Sequence, residues 1–127
     1  MNIPAELRYS NEHEWVRVDG TRATIGVTDY AQDALGDVVY VDLPDVGATV
    51  AANAKCGDVE STKSVSAIYS PVGGTIVEAN GELADTPERV NEDPYGRGWM
   101  FTVEMSDPSE LDALLDAAGY QQLIDAS

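Results

Sequence analysis

Short strand-forming runs, each closed by a turn signal after about six residues, dominate this chain and favour a β architecture built from hairpins. Trp15-Val16-Arg17-Val18 and Arg22-Ala23-Thr24-Ile25-Gly26-Val27 flank Asp19-Gly20, a tight-turn pair. A second pair of runs, residues 58–61 and 65–69, alternates small or polar residues with Val, Ile and Tyr, and ends at Ser70-Pro71-Val72-Gly73-Gly74. Between these two runs stands Lys63, one of only two lysines in the chain. A lysine there occupies a hairpin tip with its amine in water, a geometry suited to carrying something and unsuited to packing.

The remaining segments fit the same plan. Thr28 is placed to cap a short helix near 28–36, with Gly36 as its left-handed terminus. Residues 38–43 are nearly continuously apolar and β-branched, which predicts a strand buried on both faces. Pro44-Asp45-Val46-Gly47 turns the chain, and residues 48–50 and 75–79 read as extended. Residues 82–98 read as an irregular connection with one helical turn near 86–90. Residues 99–105 form the last strand, and Trp15, Trp99 and Tyr40 are expected in the core. Asp107-Pro108-Ser109-Glu110 has the form of a capping box. It predicts a C-terminal helix near 108–118, with Leu111, Leu114, Leu115 and Ala118 on one face, Gly119 ending it, and a further helical piece carrying Leu123 and Ile124. Gly36-Asp37-Val38 recurs as Gly57-Asp58-Val59, and the segment 44–50 resembles 71–77. The second copy is longer, and its excess includes the Lys63 hairpin. The repeat implies a flattened β sandwich of two similar halves, one extended to present the lysine.

With 127 residues the chain reads as one domain. It has no apolar run long enough to span a membrane, and its first residues lack the pattern of a signal or transit peptide, so a cytoplasmic protein, or one already processed, is expected. A net charge of −16 repels nucleic acid and anionic membranes and favours basic partner surfaces; scarce lysine and abundant acids also fit salt adaptation. Cys56 is the lone cysteine, which removes a disulfide framework; it reads as a small buried residue whose pKa Lys55 could lower. His13 is the only histidine, and its setting favours a structural or exposed role over a catalytic one. Neither a calcium loop nor a phosphate-binding glycine motif is present.

Taken alone, Lys63 is an ordinary surface lysine, since Glu60 and Asp58 nearby keep its amine charged. Its surroundings say more. From Val46-Gly47 through Gly57-Asp58-Val59-Glu60-Ser61-Thr62-Lys63 to Ser70-Pro71-Val72-Gly73-Gly74, the chain resembles lipoyl and biotinyl carrier domains, in which an acid lies three residues before the modified lysine. Thr62 and Ser64 stand where biotinyl domains usually carry methionines, which favours lipoate. The resemblance extends over nearly the whole chain to the H-protein family of the glycine cleavage system. It covers His13-Glu14-Trp15, Ile25-Gly26-Val27-Thr28-Asp29-Tyr30-Ala31, residues 35–44, Val59-Glu60-Ser61-Thr62-Lys63 and Val90-Asn91-Glu92-Asp93-Pro94-Tyr95-Gly96 with Gly98-Trp99-Met100.

That resemblance implies a mainly β fold, a barrel-sandwich hybrid of the lipoyl-domain type, with residues 1–127 forming a single lipoyl-carrier domain that bears a C-terminal helical extension. It implies a non-catalytic, monomeric carrier with lipoate on Lys63. The arm would take an aminomethyl group from pyridoxal-phosphate glycine decarboxylase to the tetrahydrofolate-dependent aminomethyltransferase, and the FAD enzyme dihydrolipoyl dehydrogenase would reoxidise it. Glu60 would be read by the lipoyl-attaching enzyme. Glu14 matches an acid of the cleft that shelters the loaded arm. Family members often have Ser or Thr where Glu12 stands and an acid where Ala67 stands, so Glu12 is a candidate replacement for that acid. Two other roles stay open: lipoate relay to 2-oxoacid dehydrogenases, and an acidic β-rich interaction module whose Lys63 is never modified.

Overall fold

The computed structural model describes residues 1–126. Nine strands and four short helices follow one another as β1 (Arg8–Tyr9), β2 (Glu14–Asp19), β3 (Arg22–Val27), α1 (Asp29–Leu35), β4 (Val38–Asp42), β5 (Thr49–Val50), β6 (Lys55–Ser61), β7 (Val65–Tyr69), β8 (Gly74–Ala79), α2 (Glu82–Asp85), α3 (Arg89–Glu92), β9 (Phe101–Met105) and α4 (Ala117–Asp125), with a 3₁₀ segment at Pro108–Ala113. They form two antiparallel sheets, one in the order β1-β2-β3-β9-β8-β5 and one in the order β4-β6-β7, so the expected mainly β, lipoyl-type sandwich is found.

The repeat has a structural counterpart. β4 pairs with β6, and β5 pairs with β8, so each strand that holds part of one copy is hydrogen-bonded to the strand that holds the matching part of the other. Antiparallel pairing of equivalent strands is what two halves related by a local two-fold produce. Alternate residues of the strands, among them Val16, Ile25, Val41, Val59, Ile76 and Val103, fill the core between the sheets. A second cluster on the outer side of the larger sheet holds Leu7, Tyr9, Trp15 and Tyr120. The Trp15 ring covers Gly26 so closely that a Cβ there would stand 2.7 Å from it, which explains a glycine in the middle of β3.

The α1 boundaries match expectation. Thr28 accepts a hydrogen bond from the Ala31 amide, and Gly36 closes the helix at φ 81°. Four expectations need correction. Residues 38–43 are not buried on both faces: Val39 and Tyr40 are half exposed, because the smaller sheet packs by one face only. Tyr40 is accordingly not a core residue, and Trp99 is only partly buried at the second cluster. The connection over 82–98 contains two short helices rather than one turn. The helix near 108–118 is broken. Asp107 does cap, accepting from the Ser109 amide, but Glu110 turns away to accept from the Gly73 amide at 2.9 Å instead of closing the box. Leu115 then exchanges two backbone hydrogen bonds of 2.8 Å with Tyr9, which pulls the chain straight. A new helix, α4, starts at the Asp116 cap, and Gly119 lies in its first turn rather than at an end.

The Asn-x-x-Pro-Tyr stretch holds α1 in place. Asn91 accepts from the Val38 amide at 2.9 Å and donates to the Gly36 carbonyl at 2.8 Å. Pro94 presents its carbonyl to the Trp15 indole N–H at 2.9 Å, and the Tyr95 hydroxyl accepts from the Asp29 amide at 3.0 Å.

Candidate functional site

Lys63 stands exposed in the turn between β6 and β7, as expected. The turn is built by Ser61, whose Oγ accepts from the amides of Lys63 (3.3 Å) and Ser64 (3.1 Å). The Thr62 amide donates to the Asp37 carbonyl at 3.0 Å and ties the tip to the α1–β4 turn. Gly36, in that same turn, leaves room for the lysine stem: a Cβ there would meet Lys63 Cε at 3.3 Å. Among the described residues Lys63 has no ion-pair partner, whereas Lys55 is paired with Asp58 at 3.1 Å. The backbone at the tip is thus held firmly and its amine is left free.

Beside the tip lies a groove of about 320 Å³ between the β7 hairpin and α1. Ser64 to Ile68 form one wall and Tyr30, Ala31, Ala34 and Leu35 the other, with Glu12, His13 and Glu14 at one end. Glu14 is 2 % exposed. Its carboxylate accepts from the Ser10 hydroxyl at 2.5 Å and from the Tyr69 amide at 3.1 Å. Burial pushes this carboxyl up to about 7, with the charge of Glu12 adding to the rise and the two hydrogen bonds opposing it. Among the described residues no cation pairs with it. A buried carboxylate held only by neutral donors is costly when ionised, and an incoming cation would relieve that cost.

Three of the four site residues expected from sequence therefore meet around this groove or its mouth: Glu14 inside, Glu12 exposed at its edge, and Lys63 next to Ser64. Ala67 lines the groove and supplies no carboxylate there. Glu60 is set apart. It follows buried Val59 on β6 and therefore points to the opposite face.

His13 was expected to be structural or exposed, and it is a wall of the groove. It adopts φ 68°, its ring lies 4.8 Å from that of Tyr30, and its Nδ1 is 2.8 Å from the Tyr120 hydroxyl, which also meets Thr28 Oγ1 at 2.7 Å. Burial holds the imidazole below its ordinary pKa against the opposing charge of Glu12. No local spacing signals this role; only the position of His13 directly before Glu14 ties it to the groove. Cys56 is half buried, with its thiol 3.6 Å from the Ile68 carbonyl. Burial pushes that thiol up to about 12. The charge of Glu14 adds to that rise, so the lowering expected from Lys55 is not found; Lys55 pairs with Asp58 instead. No group of three or more metal-ligating side chains exists among the described residues, and no helix of theirs is long and apolar enough to cross a membrane.

Comparison with known proteins agrees with this geometry. A family model described as "Glycine cleavage H-protein" matches residues 7–127. The chain is 56% identical over 124 residues to the glycine cleavage system H protein of Geobacillus sp. (strain WCH70), covering 98% of each chain. It is 53% identical over 126 residues to that of Myxococcus xanthus (strain DK1622), covering 99% of this chain and 98% of the relative. The crystal structure of a glycine cleavage system H protein from Mycobacterium marinum superposes with a TM-score of 0.89 at 40% identity, over 97% of this chain and 99% of that one. An unpaired lysine on a fixed hairpin tip, a groove beside it ending in a buried acid, and matches of this extent together show that the chain belongs to the glycine cleavage H-protein family, whose members are lipoyl carriers.

Proposed function

We propose that Lys63 carries lipoate in amide linkage and that the adjoining groove shelters the loaded end of the arm. The observation that supports this reading most is the buried Glu14 carboxylate, which lacks a cationic partner among the described residues and borders a groove whose wall starts at Ser64, next to the lysine. When bound, lipoate supplies the sulfur that takes an aminomethyl group from glycine decarboxylase to the tetrahydrofolate-dependent aminomethyltransferase, after which dihydrolipoyl dehydrogenase reoxidises the dithiol. The chain's own residues bind and protect. Amide formation removes the charge of Lys63, so nothing draws the stem toward the acids of the surface. Val27, Leu35, Val59 and Ile68 offer an apolar lining for a hydrocarbon arm, and Glu14 offers a counter-charge to an ammonium. Glu12 at the edge supplies the second negative charge that position 67 lacks.

Tethering turns each transfer into an event at high local concentration. In this reading the protein acts as a monomeric single domain and performs no bond chemistry itself. The test is the lifetime of the loaded protein. Glu14→Ala is expected to hasten loss of the aminomethyl adduct while leaving lipoylation intact; an unchanged adduct lifetime would reject the role of Glu14.

A further inference from the structure

The outward face of the smaller sheet carries a row of side chains that the fold does not use, and the row meets the rim of the groove at Val65. Tyr40 on β4 pairs in register with Glu60 on β6, and Glu60 with Val65 on β7, so the three stand side by side across the sheet. Tyr40 is 51% exposed, Val65 63%, and Val39 at the adjoining bulge 52%. Val41 and Val59, their strand neighbours, are buried on the other face. Three large apolar side chains left in water on two strand ends, with a carboxylate between them that has no ion-pair partner among the described residues, make an apolar strip with one central negative charge. Asp42 and Asp58 continue that face with further acids.

The strip borders the attachment turn: Val65 lies two residues after Lys63, and Glu60 three before it. Distance selects its partner. A lysine side chain extends only on the order of 6 Å from its Cα, so an enzyme acting on the bare amine must press against the strands that present it. Enzymes acting on the far end of a lipoyl arm stand off by the length of that arm and have no such need.

Resting on the reading of Lys63 as the lipoylated residue, we propose that Tyr40, Glu60 and Val65 form the docking row for the lipoyl-attaching enzyme. Its complementary surface offers apolar contacts to the Tyr40 ring and Val65, and a basic side chain to Glu60. Tyr40 is the anchor, since an exposed aromatic ring buried on association contributes most to such an interface. Glu60 supplies orientation and speeds encounter.

The experiment is the rate of lipoylation of full-length apoprotein by a purified lipoate ligase with lipoic acid and ATP, followed by intact mass. Tyr40→Ser and Val65→Ser are each expected to lower kcat/KM about tenfold, mainly through KM. Val46→Ser, equally exposed but on the distant 44–47 turn, is expected to behave as wild type. Once driven to full lipoylation, Tyr40→Ser and Val46→Ser are expected to be reduced by dihydrolipoyl dehydrogenase at the wild-type rate, which shows that fold and arm are intact. Equal attachment rates in Tyr40→Ser, Val65→Ser and wild type would overturn the docking row. So would an equal loss in attachment and in reduction in Tyr40→Ser. A wild-type dimer that dissociates in Tyr40→Ser with attachment unchanged would give the row to a second copy of the chain, and also overturn it. A wild type that takes no lipoate at all would instead strike the reading of Lys63 itself.

Discussion

Glu14 is a carboxylate kept where folding alone would not place one. Burial at 2 % exposure pushes it up to about 7 against the pull of its two neutral donors, so near neutral pH it is held between its two forms. The folded pKa lies above the ordinary value of 4.5, so the native state binds more protons than the unfolded chain between pH 4.5 and about 7, and stability falls as pH rises through that window. Glu14→Gln keeps an acceptor for the Tyr69 amide and removes the ionisation. It is expected to stabilise the protein on the order of 2 kcal/mol at pH 8, with no difference at pH 4, by thermal or urea unfolding. The same change removes the counter-charge for the cargo, so gain in stability and loss of adduct protection should travel together. Sequence alone placed Lys63 at a hairpin tip, because two alternating runs and a turn signal suffice for that. Burial of Glu14 was not legible from local pattern, since Asn11-Glu12-His13-Glu14 reads as polar throughout and only the packing of Ser10 and β7 encloses it.

Among the elements, α4 shapes the groove from outside. Tyr120 stacks on Tyr9 at 4.7 Å and places its hydroxyl between His13 Nδ1 and Thr28 Oγ1, joining the C-terminal helix to the groove wall and to the cap of α1. Tyr120→Phe retains the stacking and leaves both partners short of a hydrogen bond, at a cost of about 1–3 kcal/mol. It is expected to lower the unfolding midpoint and to raise the His13 pKa toward its ordinary value as water gains access, both measurable by NMR titration and thermal scans. An unchanged His13 titration would show that α4 does not close this wall. The sequence carried the end of α1 through Thr28 and Gly36, whose cap and positive φ are local requirements. It misplaced the C-terminal helix, because the Asp107 cap is genuine while the bridge between Leu115 and Tyr9 that breaks the helix joins residues far apart in the chain. The exposed faces of Val39 and Tyr40 escaped for a related reason: a continuous apolar run looks the same whether a second layer covers it or not.

At the scale of the molecule, a net charge of −16 sets the electrostatic background for both folding and association. Among the described residues only three ion pairs offset it, each with one partner more than half exposed. Self-repulsion of this size is expected to be screened by salt, so the melting temperature should rise by several degrees between about 0.02 M and about 0.5 M NaCl. The same addition should slow association with basic partner faces. A melting temperature independent of salt would contradict that expectation, along with the salt adaptation that the composition suggested. The β architecture was legible from strand periodicity and turns, and the repeat pointed to a sandwich of two similar halves; the pairing of β4 with β6 and β5 with β8 was not read from it. The central claim concerns Lys63, and the most direct measurement is the intact mass of the protein purified from its native host. The account predicts an increment of one lipoyl group that disappears in Lys63→Arg; an unmodified native chain, or an increment that survives that substitution, would contradict it.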